Sequence, residues 1–367
     1  MRVLLAAVVA AVQVVAPGWR VYGAPRDGSL FSVVATSRNG AWASGATYGK
    51  GAGGGQDCDK APYGDTGSVM LHWNGRAWSS VQVPAVGGIG RLTALSAHSV
   101  WATGNCASLR WDGRTWRATE YAAVPDMQDF VLAGMSVDAP KDAWMVGNTT
   151  SGSVYRGYVE RFDGVRWKVV LLPGAGLLTA VRAITPHDVW VAGQDASGGL
   201  VLWHWNGRGW RKAPHLATGR TNVFVEAFLA RKPNDVWAAG MGLITEDGIN
   251  VRQSLIMHWN GRIWTTTPTP VPKVAVSENT PSDLYTIAEG NGDLWAGGDT
   301  FQPRINAKDT PALLRWTGTR WVRAAAPEAA GQGAVNDLAA IPGGGMWAVG
   351  FTTDPQGATH PYIARQG

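Results

Sequence analysis

The sequence predicts an all-β chain folded as a seven-bladed β-propeller, and three observations carry that prediction. A Trp-x-x-Gly unit recurs seven times, an aromatic-x-Gly unit with a following tryptophan recurs between its copies, and the two chain ends together supply one missing strand. Self-similarity at such a period is the signature of propellers, solenoids and arrays.

The first unit falls at Trp42, Trp101, Trp144, Trp190, Trp237, Trp295 and Trp347, at spacings of 43 to 59 residues. The second reads WNGRAW from Trp73, WDGRTW from Trp111, FDGVRW from Phe162, WNGRGW from Trp205, WNGRIW from Trp259 and WTGTRW from Trp316. Of the 20 tryptophans 18 stand in these two units, Trp19 falls on the fourth-strand position in the N-terminal segment, and only Trp203 lies off the repeat, which therefore governs where large aromatics are used.

Each period reads as four short strands. In the fourth period an apolar segment, Leu178 to Ile184, comes first and the DVWVAG segment around Trp190 second. LVLWHW up to Trp205 is the third strand and GWRKAP around Trp210 the fourth. Asn-Gly or Asp-Gly between the third and fourth strands is a strong hairpin signal, because both central residues tolerate positive φ. Glycine closes the second strand, proline after the fourth blocks further pairing, and no 3.6-residue periodicity is present. Four antiparallel strands repeated radially solve the problem of exposed sheet edges. The tryptophans are then expected to fill the wedges between blades rather than to serve as sugar-stacking platforms.

The seventh period runs from Ala334 to Gly367 and stops before a fourth strand. Aligned on Ser254 to Gly261, Gly367 falls on the glycine of WNG. The segment from Gly18 to Pro25, with Trp19, resembles the one around Trp210 and is expected to complete the blade. Residues 17–367 thus read as one propeller and 1–16 as an export signal.

The pattern resembles the kelch and galactose-oxidase class of propellers, whose repeats place glycine after the second strand and tryptophan in the fourth. It is also similar to tectonin-type lectin propellers, which are rich in Trp and Gly with short strands. The resemblance covers Trp19 to Gly367 as a repeat pattern of secreted bacterial type and implies the fold, with no functional signature. The double glycine of kelch repeats stands only at Gly297-Gly298. No ligand set matches the copper site of galactose oxidase. In WDGRTW, Asp112 directly precedes Gly113, whereas the Asp-box of sialidases has a residue between.

Composition narrows the function classes. Charged residues make up 16% and the net charge is +5, with basic residues scattered in pairs such as Arg211-Lys212 and Arg231-Lys232. Nucleic-acid binding needs a basic stripe that neutralises several phosphates together, and none is present. The apolar run from Val3 to Ala16 is too short for a membrane span, which takes about 20 residues, but matches an export signal. Cleavage after Ala11 puts Val9 and Ala11 at the small-residue positions, whereas Pro17 disfavours cleavage after Ala16. Export predicts an extracellular protein and one disulfide from the only two cysteines, Cys58 and Cys106.

His72, His204 and His258 share one repeat position, which Arg110, Arg161 and Arg315 hold in other blades. Third strands of different blades diverge, so one ion cannot bridge these histidines at about 2.1 Å. Hydrogen bonding within each blade is expected instead, and neither metal nor cofactor. Asp142, Asp188, Asp235 and Asp293 recur two residues before the second-strand tryptophan, where local backbone hydrogen bonds in the turn are expected.

Irregular features point to function, because a scaffold alone does not require them. Connections between second and third strands vary, and the longest, Gly49 to Gly67, carries Asp57, Asp59, Lys60, Tyr63 and Asp65. From this face Tyr63, Tyr121, Arg156, Arg252, Arg304 and His360 are the candidate ligand-binding residues. Charges within the first strands, Arg182, Glu226 and Asp337, are expected to line the central channel. Glu226 and Asp337 would be the acid/base pair if the protein is an enzyme. The expected function is that of a monomeric, secreted, non-catalytic binding propeller for a glycan, a cell-envelope polymer or a protein. The alternative is a secreted glycan lyase or hydrolase with acidic residues at the channel mouth.

Overall fold

The computed structural model describes residues 18–24, 28–47, 67–122, 129–151, 154–170, 172, 174–195, 197–214, 216, 218–275, 282–302, 308–327 and 332–367. Seven antiparallel sheets form a closed ring. The innermost strands, in blade order, are Ser29–Ser37, Ile89–Ser96, Asp129–Ala139, Leu178–Thr185, Thr221–Lys232, Leu284–Gly290 and Gln332–Ala340. Blade five gains a short extra strand, Val274–Ala275, paired to Ile249–Trp259. At the chain ends Trp19–Tyr22 pairs with Thr359–Gln366 and closes the last blade, as the sequence predicts. No helix among the described residues is long and apolar enough to cross a membrane.

The tryptophans pack between blades. Among the described residues, six of the seven second-strand tryptophans meet the third- and fourth-strand aromatics of the next blade, Trp295 being the exception. Trp42 packs on Trp111 and Trp116, Trp144 on Trp205 and Trp210, Trp190 on Trp259 and Trp264, and Trp237 on Trp316 and Trp321. The contact with the fourth strand is edge-to-face every time, at interplanar angles of 88°, 87°, 86° and 82°. That geometry suits the ring quadrupoles and adds about 0.5–1.5 kcal/mol per pair beyond area burial. Trp347 closes the ring on Trp73 and Trp78, while Trp295 shares a core cluster with the N-terminal Trp19.

Three expectations of local detail need correction. The recurring aspartates do not serve their own turns; they clamp the third strand. Asp188 and Asp235 bond His204 and His258 at 2.7 and 2.8 Å, and each imidazole stacks on its blade's tryptophan. Asp142 holds Arg161 through two hydrogen bonds, and Arg161 lies over Trp144. A carboxylate pinning a cation or imidazole to an indole face rigidifies the blade's edge.

The hairpin between third and fourth strands is also not a two-residue turn. Trp73 pairs with Trp78, leaving four residues between them. Asn74 Oδ1 accepts the Arg76 and Ala77 amides, and of the two central residues only Gly75 has positive φ, at 92°. The asparagine works as a turn-forming acceptor and glycine supplies the left-handed residue.

Finally, Arg365, not Ala364, stands at the His258 position of the last strand. It pairs with Trp347 and lies 5.4 Å from its ring centroid, as His258 pairs with Trp237. Gly367 therefore stands on Asn260, one residue from the alignment based on Ser254 to Gly261. A one-residue slip would turn every side chain of that strand to the wrong face.

Candidate functional site

First strands line the channel, and every one of them carries a β-bulge in its opening half. Register shifts fall at Phe31, Gly90-Arg91, Ala133, Thr179, Glu226, Tyr285 and Asn336. A bulge adds one residue to the strand and re-aims its side chain. Here it brings a different residue from each blade toward the channel, near the face on which second strands end.

Two cavities follow from this arrangement. The inner one, of about 390 Å³, is lined by all seven first strands and includes Arg91, Arg182, Glu226 and Asp337. The outer one, of about 360 Å³, lies at the mouth on the loop face, lined by Ser29, Phe31, Gly90, Arg91, Tyr285, Asn336 and Phe351. Arg91 belongs to both. Its guanidinium crosses from blade two and donates to the carbonyls of Glu226 and Tyr285, in blades five and six, at 3.4 Å each.

The channel carboxylates have different surroundings. Asp337 accepts from Ser32 Oγ at 2.6 Å, the Val33 amide at 3.0 Å, Thr286 Oγ1 at 2.8 Å and its neighbour Leu338 at 2.9 Å. It ties blade seven to blades one and six. Glu226 has no such set of donors. Burial pushes its carboxyl up, Arg91 opposes that shift, and Asp283 adds to it. Asp283 is itself raised by burial, against the pull of Arg252 at 3.6 Å. Tyr285 donates to Asp299 at 2.8 Å, and burial raises its hydroxyl further from ionisation. Both Glu226 and Asp337 line the inner cavity, as expected of the first strands, but Asp337 is committed to joining blades.

The six ligand-binding candidates do not converge. Tyr63 and Arg304 lie outside the described residues, as does Cys58; Cys106 is buried and is not a free thiol. Tyr121 packs its ring on Trp167 and bonds both backbone groups of Gly104 through its hydroxyl, so it belongs to the packing of blades two and three. Arg156 and His360 stand on third strands rather than on loops, opposite Thr149 and Thr352, and both are exposed. Arg252 lies in a long hairpin of blade five, Asp235–Glu246 with Ile249–Trp259, and its charge is engaged by Asp283. None of these four lines the loop-face pocket.

Sequence reasoning missed Phe31, Arg91, Tyr285, Asn336 and Phe351. For the first four the available signal was a large or polar residue in the opening half of a first strand; Phe351 stands on a second strand and had none. Among the described residues no group of three or more His, Cys, Asp or Glu stands together to hold a metal.

No protein-family model matches the chain, and no curated protein matches it. Solved structures do. YCF48 bound to D1 peptide aligns with a TM-score of 0.54 at 12% identity, covering 95% of this chain and 96% of that one. YCF48 from Cyanidioschyzon merolae gives 0.55 at 12% identity, over 95% and 98%. The extracellular domain of a hybrid two-component system from B. thetaiotaomicron gives 0.51 at 10% identity, over 94% of this chain and 40% of that one. The shared feature is the propeller fold. At such identities a fold carries many functions, so activity must be argued from the site.

Proposed function

We propose that the chain is an exported, non-catalytic binding propeller of the kelch- or tectonin-like type that takes a glycan at the loop-face mouth of its channel. One observation carries this reading: Phe31, Tyr285 and Phe351 stand together around a pocket of about 360 Å³, beside the polar groups of Asn336 and Arg91. All five are half-buried. Aromatic faces beside a few convergent polar groups form the usual surface for a small polar ligand with apolar C–H patches. Export, a monomeric state and a Cys58–Cys106 disulfide belong to the same proposal. A cell-envelope polymer would present its sugar units to the same pocket.

The test is a glycan-array screen of the full chain followed by titration of the best ligand. Phe31→Ala and Tyr285→Ala are expected to weaken binding by about tenfold or more, since each removes a stacking face worth at least about 1.4 kcal/mol. Unchanged affinity in both variants would overturn the proposal.

A second reading has its own support. Glu226 and Asp283 are both raised by burial, and Asp283 raises Glu226 further; a carboxyl so placed is the chemical setting of a general acid. Turnover of an array ligand, lost in Glu226→Gln while binding persists, would make the protein a glycan lyase or hydrolase.

A further inference from the structure

The inner cavity contains a guanidinium with no partner among the described residues. Arg182 takes part in no hydrogen bond or ion pair among the described residues, and its Nε is buried without an acceptor. Burial lowers its affinity for the proton, and no carboxylate lies close enough to oppose that effect. Arginine nevertheless remains charged in proteins, and a half-buried guanidinium with its Nε unpaired calls for a counter-charge. The channel's own carboxylates do not supply one. Asp337 is turned to the donors of blades one and six, and Glu226 lies at the level of Arg91.

The surroundings of Arg182 are ordered by the repeat. It pairs with Trp190, the second-strand tryptophan of its blade. At the same register Ser136 pairs with Trp144 and Thr93 with Trp101, so blades two, three and four present Thr, Ser and Arg side by side. The other four blades place Val34, Leu229, Ala288 and Ala339 there. Of these, Val34 and Ala339 line the cavity, together with Phe228, Ile287 and Leu338. One side of the chamber thus offers a cation and hydroxyls, while the other adds apolar groups to the carboxylates already described. Ser136 Oγ accepts the Ala183 amide at 3.0 Å and keeps its own proton to donate. Thr93, Ala94 and Arg182 retain partial exposure, so the chamber communicates with solvent. Register places this layer on the side of Arg91 facing the short turns, away from the loop-face pocket.

We infer that the inner cavity binds one small organic carboxylate of sugar-acid size, with Arg182 as its charge partner. A guanidinium presents two parallel N–H donors to a carboxylate. Ser136 and Thr93 meet hydroxyls of the ligand, and the apolar wall accepts its C–H face. A volume of about 390 Å³ lies within the ordinary range for small-molecule sites and far exceeds the needs of a bare inorganic ion. This site goes beyond the loop-face reading and does not depend on it.

Glucuronate is the probe, titrated calorimetrically into the full chain, with glucose as the uncharged counterpart at matched ionic strength. Glucuronate is expected to bind saturably, and glucose about tenfold more weakly or worse, since it lacks the charge-assisted pair. Arg182→Met should lose about tenfold or more, whereas Arg182→Lys should keep part of the affinity, as a point charge without the forked geometry. Tyr285→Ala should leave glucuronate affinity unchanged. Should Arg182→Met fail to fold, the Nε–H resonance of Arg182 in the unaltered protein replaces it and must shift on titration. Absence of glucuronate binding, equal binding of glucose, full affinity in Arg182→Met, or a resonance that does not move would each overturn the assignment. Loss in Tyr285→Ala alone would overturn it too, and would leave the loop-face reading standing.

Discussion

Trp190 meets Trp259 and Trp264 in the way that Trp42 meets Trp111 and Trp116, so the packing between blades is one contact made repeatedly. The channel wall is the opposite case. Its bulge position holds phenylalanine, a glycine-arginine pair, alanine, threonine, glutamate, tyrosine and asparagine in successive blades. Both regions are built on the same backbone repeat. The first is constrained by the wedge between sheets, which admits large flat side chains. The second faces a hydrated space that constrains side chains less, and there the chain has individual residues to spend on recognition.

The strongest challenge to this contrast removes the piece that completes the ring. Deleting residues 17–25 strips the fourth strand from blade seven and takes Trp19 from its cluster with Trp295. Two sheet edges open, and the whole ring is expected to lose its cooperative thermal transition. An unaltered melt would mean that the closure is ornamental. Within the intact ring, Trp190→Ala should cost about 3–5 kcal/mol, the range for a buried tryptophan. The denaturant midpoint measures it, and a cost below about 1 kcal/mol would place the tryptophan outside the core.

Asp337 sharpens the comparison from the channel side, because it is a wall residue with a structural task. Asp337→Ala leaves the Val33 amide and the hydroxyls of Ser32 and Thr286 without their acceptor. The expected loss is about 2–3 kcal/mol in the denaturant midpoint, given partial exposure and water to replace some bonds. Glu226→Gln, which breaks no such set, should change stability by less than about 1 kcal/mol.

Glu160 is the polar exception within the packing of blades two and three. One carboxylate oxygen accepts the Ala122 amide at 3.0 Å, the other is buried without a partner, and burial pushes its carboxyl up to about 7. Between about pH 4.5 and 7 the unfolded chain therefore holds fewer protons at this site than the folded one, and stability falls as pH rises. Glu160→Gln should flatten this slope, which amounts to about 3 kcal/mol at most. Identical pH profiles for the two proteins would show that the carboxyl is not desolvated.

These contrasts also explain how far the sequence could be read. Trp42 through Trp347 and the end-joining Trp19 were legible because a repeated wedge demands the same residue in every period. The bulges were not. An extra residue such as Tyr285 or Asn336 carries no marker of its own in the sequence, so the strand reads as regular until its partner fixes the register. Tyr121 looked exposed in a polar connection because nothing in the sequence shows that its hydroxyl meets the Gly104 backbone. Arg252 and His360 were assigned to loops because polar hairpin tips and loops share a composition. The recurring aspartates were placed correctly, but their partners lie 16 to 23 residues away across the sheet.

The most direct test compares the two faces of the channel with one glycan selected on the array. Its affinity is measured for the unaltered chain, for the Phe31→Ala, Tyr285→Ala double variant on the loop face, and for Arg208→Ala in an exposed hairpin turn on the other face. A loss of about a hundredfold is expected for the double variant, two stacking faces at roughly 1.4 kcal/mol each, with no change for Arg208→Ala. Full affinity in the double variant together with loss in Arg208→Ala would put the working surface on the opposite face and contradict the loop-face assignment.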